Sequence, residues 1–440
     1  MIISNKDIQL VEASLELARK SGADKARATL CRSEEDLVAT LNGEIDRVTH
    51  CADSSLSLSL YADGRFGSFS TNKLSPEALQ DFIRTSVEIV RSISPDPCRD
   101  LPEPGRCCRD AVSGDELHLI DPARETVSPE MRKRMACEAS AFGSGKILSE
   151  EGEYSDSIYD TLLMDSNGTL CRHCETSFDY GVESTVERGG ERYSGYWWDS
   201  SSRLARLDAP SCGRKALERA EAMVGAEAID SGKYNMVIDS DVASKVVSPI
   251  LKALNAYSIQ QNNSFLVGSL GKQLFPDGLT VMDLPHIEGQ TCSKLFDSEG
   301  VATREAPIIE KGVVNQYFVN TYMSRKLGIA PTVEDATRPK VLPWPGPGLG
   351  QSDILKMCDR GILVTDFNGG NSNPVTGDFS YGVEGFWFEN GVIQRPVSEM
   401  LVTGNFLGLW KGLIAAGDDA RACMSKLIPT LAFSNVDFSG

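Results

Sequence analysis

The chain has 440 residues, 41% of them hydrophobic, and carries 62 Asp+Glu against 44 Lys+Arg, a net charge of −18. That length accommodates two domains or more, and the acidic balance argues against a dedicated nucleic-acid or anionic-membrane binder, since phosphate contact needs clustered Lys and Arg. No apolar run is long enough to span a bilayer and no basic, then apolar, leader opens the chain, so a cytoplasmic protein is expected.

In chain order, Asn5 offers a cap for a helix striped by Ile8, Val11, Leu15 and Ala18 and stopped by Gly22. Strands follow at 37–41 and 45–49 around the turn Asn42-Gly43, at 55–61 with period-two alternation, and at 66–69 after Asp63-Gly64. Ser75-Pro76 opens a helix carrying Leu79, Phe82, Ile83 and Val90. Residues 95–114 read as a polar connector holding Cys107 and Cys108. Ser128-Pro129 begins a short helix. A second antiparallel group is expected at 158–164, 170–178, 181–186 and 193–198, then a helix over 210–223.

Residues 225–232 mark a boundary. The expected division is an N-terminal α+β region, 1–228, with subdomains 1–110 and 111–228, and a C-terminal domain, 229–440, mostly β with helices. The second half begins with a strand at 234–238 and a helix capped by Asp239 to Asp241 and running to Leu254 despite Pro249. Further strands fall at 279–282, 306–310 and 313–319, and helices at 321–327 and 353–360, the latter capped by Ser352. Residues 331–350 contain Pro343-Trp-Pro-Gly-Pro-Gly348, which excludes regular structure there. The run 362–364 is a buried strand, and 386–388 with 392–393 flank the hairpin turn Asn390-Gly391. Between them lies a Gly/Asn-rich loop that exposes backbone groups to an approaching chain. A last helix covers 406–416.

Candidate chemistry is sparse. The four histidines, His50, His118, His173 and His286, never sit three to five residues apart, so no helical turn can present two of them to zinc. Cys171-Arg-His-Cys174 reads as a metal or redox pair or as ordinary strand residues. Asp366, Asp378 and Glu384 are candidate carboxylates that equally suit turn capping. There is no Gly-x-Ser-x-Gly elbow and no Walker-type loop. The 12 cysteines lack the density of a secreted disulfide scaffold and read as reduced thiols.

The ordered set Phe296-Asp-Ser-Glu-Gly300, Ile309-Glu-Lys-Gly312, Ser324-Arg-Lys-Leu-Gly328, Asn373-Pro-Val-Thr-Gly-Asp378 and Phe386-Trp-Phe-Glu-Asn-Gly391 resembles the TldD/PmbA family. Asn42-Gly-Glu-Ile45 and Asp63-Gly-Arg65 fit its N-terminal domain. The resemblance implies a two-part α+β fold of antiparallel sheets with segregated helices, with 229–440 as the PmbA/TldD-type domain. Family members are cytosolic peptidase components, also labelled modulators of DNA gyrase. TldD-type subunits carry a His-Glu-x-x-x-His helix and a Cys ligand, whereas PmbA/TldE-type subunits lack that motif and pair with the first kind. Here Val247, Ser248 and Lys252 stand at the motif's positions and Cys423 at the Cys, which places the chain in the PmbA/TldE branch. The resemblance thus implies no cofactor on this chain and zinc on a TldD-type partner. Unfolded peptide would be admitted along a wall formed by loops 343–350 and 368–378, with Asn373, Thr376, Gly377 and Asp378 as channel candidates. Pairing with a TldD-type subunit or as a homodimer is implied, with no direct nucleic-acid or membrane contact. The alternatives are a regulatory protein that binds gyrase, and a homodimeric peptidase using His286 and Cys423.

Overall fold

The computed structural model describes residues 1–144 and 147–440. Residues 25–201 contribute a six-stranded antiparallel sheet: β1 (Lys25–Leu41), β2 (Glu44–Ala62), β3 (Arg65–Thr71), β4 (Ser149–Asp165), β5 (Leu170–Arg188) and β6 (Glu191–Ser201), in the order β3-β2-β1-β4-β5-β6. The strands are longer than the hydrophobic pattern suggests. β1 begins at Lys25 rather than Leu37, and β2 runs unbroken where two strands are expected. Their polar middles keep register without apolar alternation, from Cys31 opposite Ser55 to Leu37 opposite Thr49, because the ladder needs only backbone partners on both sides of β1.

Helices α1 (Asn5–Lys20) and α2 (Pro76–Ser92) pack on Ala26, Ala28, Leu30, Leu56, Leu58 and Leu60. The cap of α1 is Ser4, not Asn5, because Ser4 and Asp7 form a reciprocal capping box. Helices α3 (Pro129–Glu138) and α4 (Ala209–Ala222) cover Val38, Tyr154, Tyr180 and Val182 farther along the sheet. Cys107 and Cys108 are buried, contrary to a polar connector: the Cys108 amide donates to the Gly300 carbonyl at 2.9 Å and draws the segment against the C-terminal half.

The remaining elements are β7 (Gly232–Ile238), α5 (Ser244–Ala253), α6 (Ala256–Gln260), β8 (Val281–Asp283), β9 (Ala306–Glu310), β10 (Val313–Val314), α7 (Thr321–Leu327), β11 (Pro339–Val341), α8 (Gln351–Cys358), β12 (Gly361–Asp366), β13 (Asn371–Ser372), β14 (Asp378–Glu389), β15 (Val392–Asn405), α9 (Phe406–Lys411), β16 (Leu413–Ala416) and β17 (Leu431–Ser439). A four-stranded sheet runs β10-β9-β8-β11. In a seven-stranded sheet six strands run β12-β7-β17-β15-β14-β13 and β16 joins through β17, and an additional β12–β14 pairing returns the path to its start, so β12, β7, β17, β15 and β14 form a closed ring. Among the described strands, only β7 and β12 pair in parallel. The fold is therefore α+β, with helices set apart from antiparallel strands.

Several boundaries differ from the sequence reading. β17 is missed altogether: a register shift between Phe433 and Val436, at positive-φ Asn435, interrupts its alternation. The last helix ends at Lys411, and 413–416 pairs with β17 as β16. The partner strand at 313–319 shrinks to β10, while β11 arises inside 331–350. α8 starts at Gln351 on a Gly350 cap with no side-chain bond, so Ser352 is inside the helix. The Gly/Asn-rich loop contains the two-residue β13. Among the described residues no helix is long and apolar enough to cross a membrane.

Candidate peptide groove

α5 places one face in the core and one in a groove. Val246, Val247, Ile250 and Leu251 are buried against Met236, Ile238, Ile362 and Val364. Asp239 caps the turn before the helix, accepting from the amides of Val242 and Ala243, so the helix proper begins at Ser244 rather than at Asp239 to Asp241. The polar positions 241, 245, 248 and 252 recur at helical spacing and line a cavity of about 650 Å³. Its opposite wall is Asp366, Phe367 and residues 370–374, including β13. β13 ends its sheet, pairing only with β14 through Asn371 opposite Ser380 and Ser372 opposite Phe379. One backbone edge of that wall is thus free among the described residues.

The loop is held from behind. The Asn373 carbonyl accepts from the Gly377 amide at 2.8 Å, and its side-chain oxygen accepts from the Val375 amide at 2.9 Å. Thr376 donates its hydroxyl to Asp378 at 2.7 Å, and the Asn405 amide group donates to the Thr376 carbonyl and to Asp378. The hydrogen bonds from Asn405 and Thr376 hold the Asp378 carboxyl below its ordinary pKa. The Pro374 carbonyl accepts from the Phe265 amide at 2.9 Å. Of the four channel candidates, Asn373 lines the groove, while Thr376, Gly377 and Asp378 build the turn that supports it.

Asp241, Val242 and Asp366 also line a second space, again about 650 Å³, bounded by Trp197, Trp198, Glu384, Phe386 and Arg421. Asp241 is bound there by Arg219 at 2.5 Å and Arg421 at 2.8 Å. Asp239 beside it has its pKa raised by burial and by the Asp241 charge. The Glu384 carboxylate accepts from the Asn368 side chain at 2.8 Å.

The other singled-out residues lie elsewhere. Loop 343–350 does not line the groove; Trp344 bridges to Ala416. Cys423 sits on a separate depression with Asp199 and Arg421, and burial pushes its thiol upward. His286 bonds Thr303 at 2.9 Å. Exposed His50 pairs with half-buried Asp36, and His173 approaches Glu175 at 3.6 Å. Cys171 and Cys174 are both buried in β5, three residues apart and therefore on opposite faces. The groove face does not fit a zinc ion: Val247 points into the core without a donor atom, and Lys252 in its charged form repels a cation. Among the described residues no three His, Cys, Asp or Glu side chains form a group that could hold a metal ion. Sequence reasoning missed Lys245, although its place on the polar stripe of an apolar helix was a usable signal; Arg421 carried none.

Three family models match in chain order, described as PmbA/TldA metallopeptidase domain 1 over residues 28–90, the central domain over 124–224 and the C-terminal domain over 231–440. The chain is 30% identical over 439 residues to Metalloprotease PmbA of Escherichia coli O157:H7, covering 96% of this chain and 95% of that protein. A crystal structure from Bacteroides thetaiotaomicron VPI-5482, of a protein proposed as a modulator of DNA gyrase, matches with a TM-score of 0.95 and 36% identity over 100% of both chains. TldE from Thermococcus kodakarensis shares the fold with a TM-score of 0.83 at 19% identity, covering 98% of this chain and 100% of that one. Fold and domain matches together define a two-part α+β protein of metallopeptidase type. The chain belongs to the PmbA/TldD metallopeptidase family.

Proposed function

We propose that this chain is the PmbA/TldE-type subunit of a cytoplasmic zinc metallopeptidase complex acting on unfolded peptides, with zinc and hydrolysis on a TldD-type partner. The observation that carries this reading is α5, where Val247, Ser248 and Lys252 stand at the positions that a His-Glu-x-x-x-His helix would give to its ligands and base, with Val247 turned into the core and Ser248 and Lys252 lining the groove. The opposite wall, with the free edge of β13, suits an extended peptide held through its backbone. This subunit's role is then to bind and orient substrate at the edge of the partner's site. The test is to mix the chain with a TldD-type protein bearing a His-Glu-x-x-x-His helix and to follow co-elution and cleavage of an unfolded peptide. Co-elution with cleavage that neither protein shows alone is expected; a fully active TldD-type protein that forms no complex overturns the proposal.

The description of the Bacteroides relative favours a second reading, a regulatory protein that binds gyrase. A pull-down that recovers gyrase and no peptidase subunit supports it; recovery of a TldD-type protein alone removes it.

A further inference from the structure

The groove is lined by two lysines, Lys245 and Lys252, and by two aspartates, Asp241 and Asp366. Lys245 is half-buried, with its ammonium 4.7 Å from the Tyr381 ring centroid, and Lys252 lies seven residues on along the same face. Among the described residues neither has an ion-pair partner. The nearest acid on the stripe, Asp241, is already held by Arg219 and Arg421. Asp366 lies on the opposite wall, where its carboxylate accepts from the Phe367 amide at 2.8 Å, so the α5 face of the groove is the positive one. The ring face helps to hold the Lys245 ammonium in place but does not neutralise it.

The rest of the lining narrows the ligand. Asn263, Asn371 and Asn373 supply neutral amides, Phe265 and Phe406 supply apolar surface, and no arginine contributes. A lysine serves as a point charge for a carboxylate or a phosphate alike, and the free backbone edge of β13 across the groove is what favours a peptide as the carrier of the anions. Seven helical residues rise by about 10 Å, too far for one carboxylate to reach both lysines closely. That rise matches about three residues of extended chain.

We propose that the groove binds an acidic extended peptide by its carboxylates, one at Lys245 and one at Lys252, with the main chain running along the free edge of β13. The two carboxylates are the C-terminus and an acidic side chain about three residues upstream. This rests on the reading of the chain as a peptide-binding subunit and adds the charge class of the peptide.

The test uses the full chain without any partner, at physiological salt, and an N-terminally labelled unstructured peptide read by fluorescence anisotropy. Four forms are compared: free or amidated C-terminus, each with Glu or Gln three residues before it. The doubly anionic peptide is expected to bind most tightly, with about tenfold lost for each carboxylate removed. Lys245→Gln and Lys252→Gln should each abolish the preference for one of the two groups, Lys→Arg should restore it, and Lys73→Gln, on an exposed position elsewhere, should change nothing. Equal binding of all four forms, absence of binding, or preferences untouched by both Gln variants overturns the proposal. An active complex with a TldD-type protein that ignores peptide charge would remove this inference and leave the subunit assignment standing. Charge-selective binding without complex formation would do the reverse.

Discussion

Arg421 and Asp241, 180 residues apart in sequence, are paired at 2.8 Å. The same guanidinium donates to the Trp198 carbonyl at 2.5 Å and lies 4.2 Å from the Trp197 ring centroid. One side chain thus fastens the segment before β17, the approach to α5 and the last strand of the N-terminal sheet. Although burial opposes its charge, the hydrogen bond and charge of Asp241 raise the Arg421 pKa.

Replacing Arg421 with Met removes the charge and keeps much of the apolar stem. Asp241 retains Arg219, so the loss should fall at the low end for a buried pair, about 3 kcal/mol. Arg421→Lys should recover little, since a lysine cannot reproduce the planar fork stacked on Trp197. Thermal unfolding of the variants measures this; a midpoint unchanged by Arg421→Met would show that the junction is held by other contacts.

The closed ring depends on Gly385. It pairs with Val364 across β12 and β14, and a Cβ there would lie 1.8 Å from the Leu363 carbonyl oxygen. A backbone atom cannot swing away as a side chain does, so Gly385→Ala should cost about 3 kcal/mol or more by parting the two strands. Gly346, whose added Cβ would meet nothing within 4 Å, is the control, and Gly346→Ala should change stability by less than about 1 kcal/mol. Thermal midpoints of the two variants decide between strand separation and tolerance.

Asp297 gives stability a specific pH dependence. Burial, then the neighbouring Glu299 charge, pushes its carboxyl from 3.8 up to about 6, against hydrogen bonds from the Val301, Glu334 and Glu299 amides. The native state therefore holds this proton more tightly than the unfolded chain. The stability it contributes is complete below about pH 4 and lost as pH rises through about 6. Comparing wild type with Asp297→Asn between pH 4 and 7 isolates the effect. The variant should lack this fall, of the order of 2 kcal/mol, while losing part of the bonding to three amides at every pH. Parallel pH profiles would contradict the assignment.

What the sequence disclosed follows the range of the interactions. The strand 306–310 and helix 321–327 are read with their observed bounds because their punctuation is local: Lys311-Gly312 turns the one and Gly328 ends the other in left-handed conformation. The hairpin at Asn390-Gly391 is equally self-contained. β17 is not, since it earns its place by pairing with β7 and β15 from opposite ends of the domain. The groove was half legible. The loop around Asn373 announced itself by composition, but that it faces Lys245 and Lys252 depends on how α5 rotates Val247 into the core.

The loop wall of the groove should depend on one residue outside it. Asn405 donates to the Thr376 carbonyl at 2.8 Å and to Asp378 at 2.9 Å, and its side-chain oxygen caps α9 through the Leu407 amide at 3.1 Å. Asn405→Ala removes all three bonds without touching a groove-lining atom. Loss of the cap alone costs about 1 kcal/mol. The consequence should be local, because the core behind α9 is formed by Phe406 and Trp410, which stay buried. Hydrogen exchange should therefore accelerate at the amides of Gly377 and Asp378 while those of β17 keep their protection. Peptide affinity should fall severalfold, because the mobile wall must then be ordered on binding. Asn405→Asp keeps the cap acceptor but sets a second carboxylate against Asp378, so it should restore the helix end and not the loop. Uniform exchange acceleration across the C-terminal half would instead make Asn405 a residue of global stability.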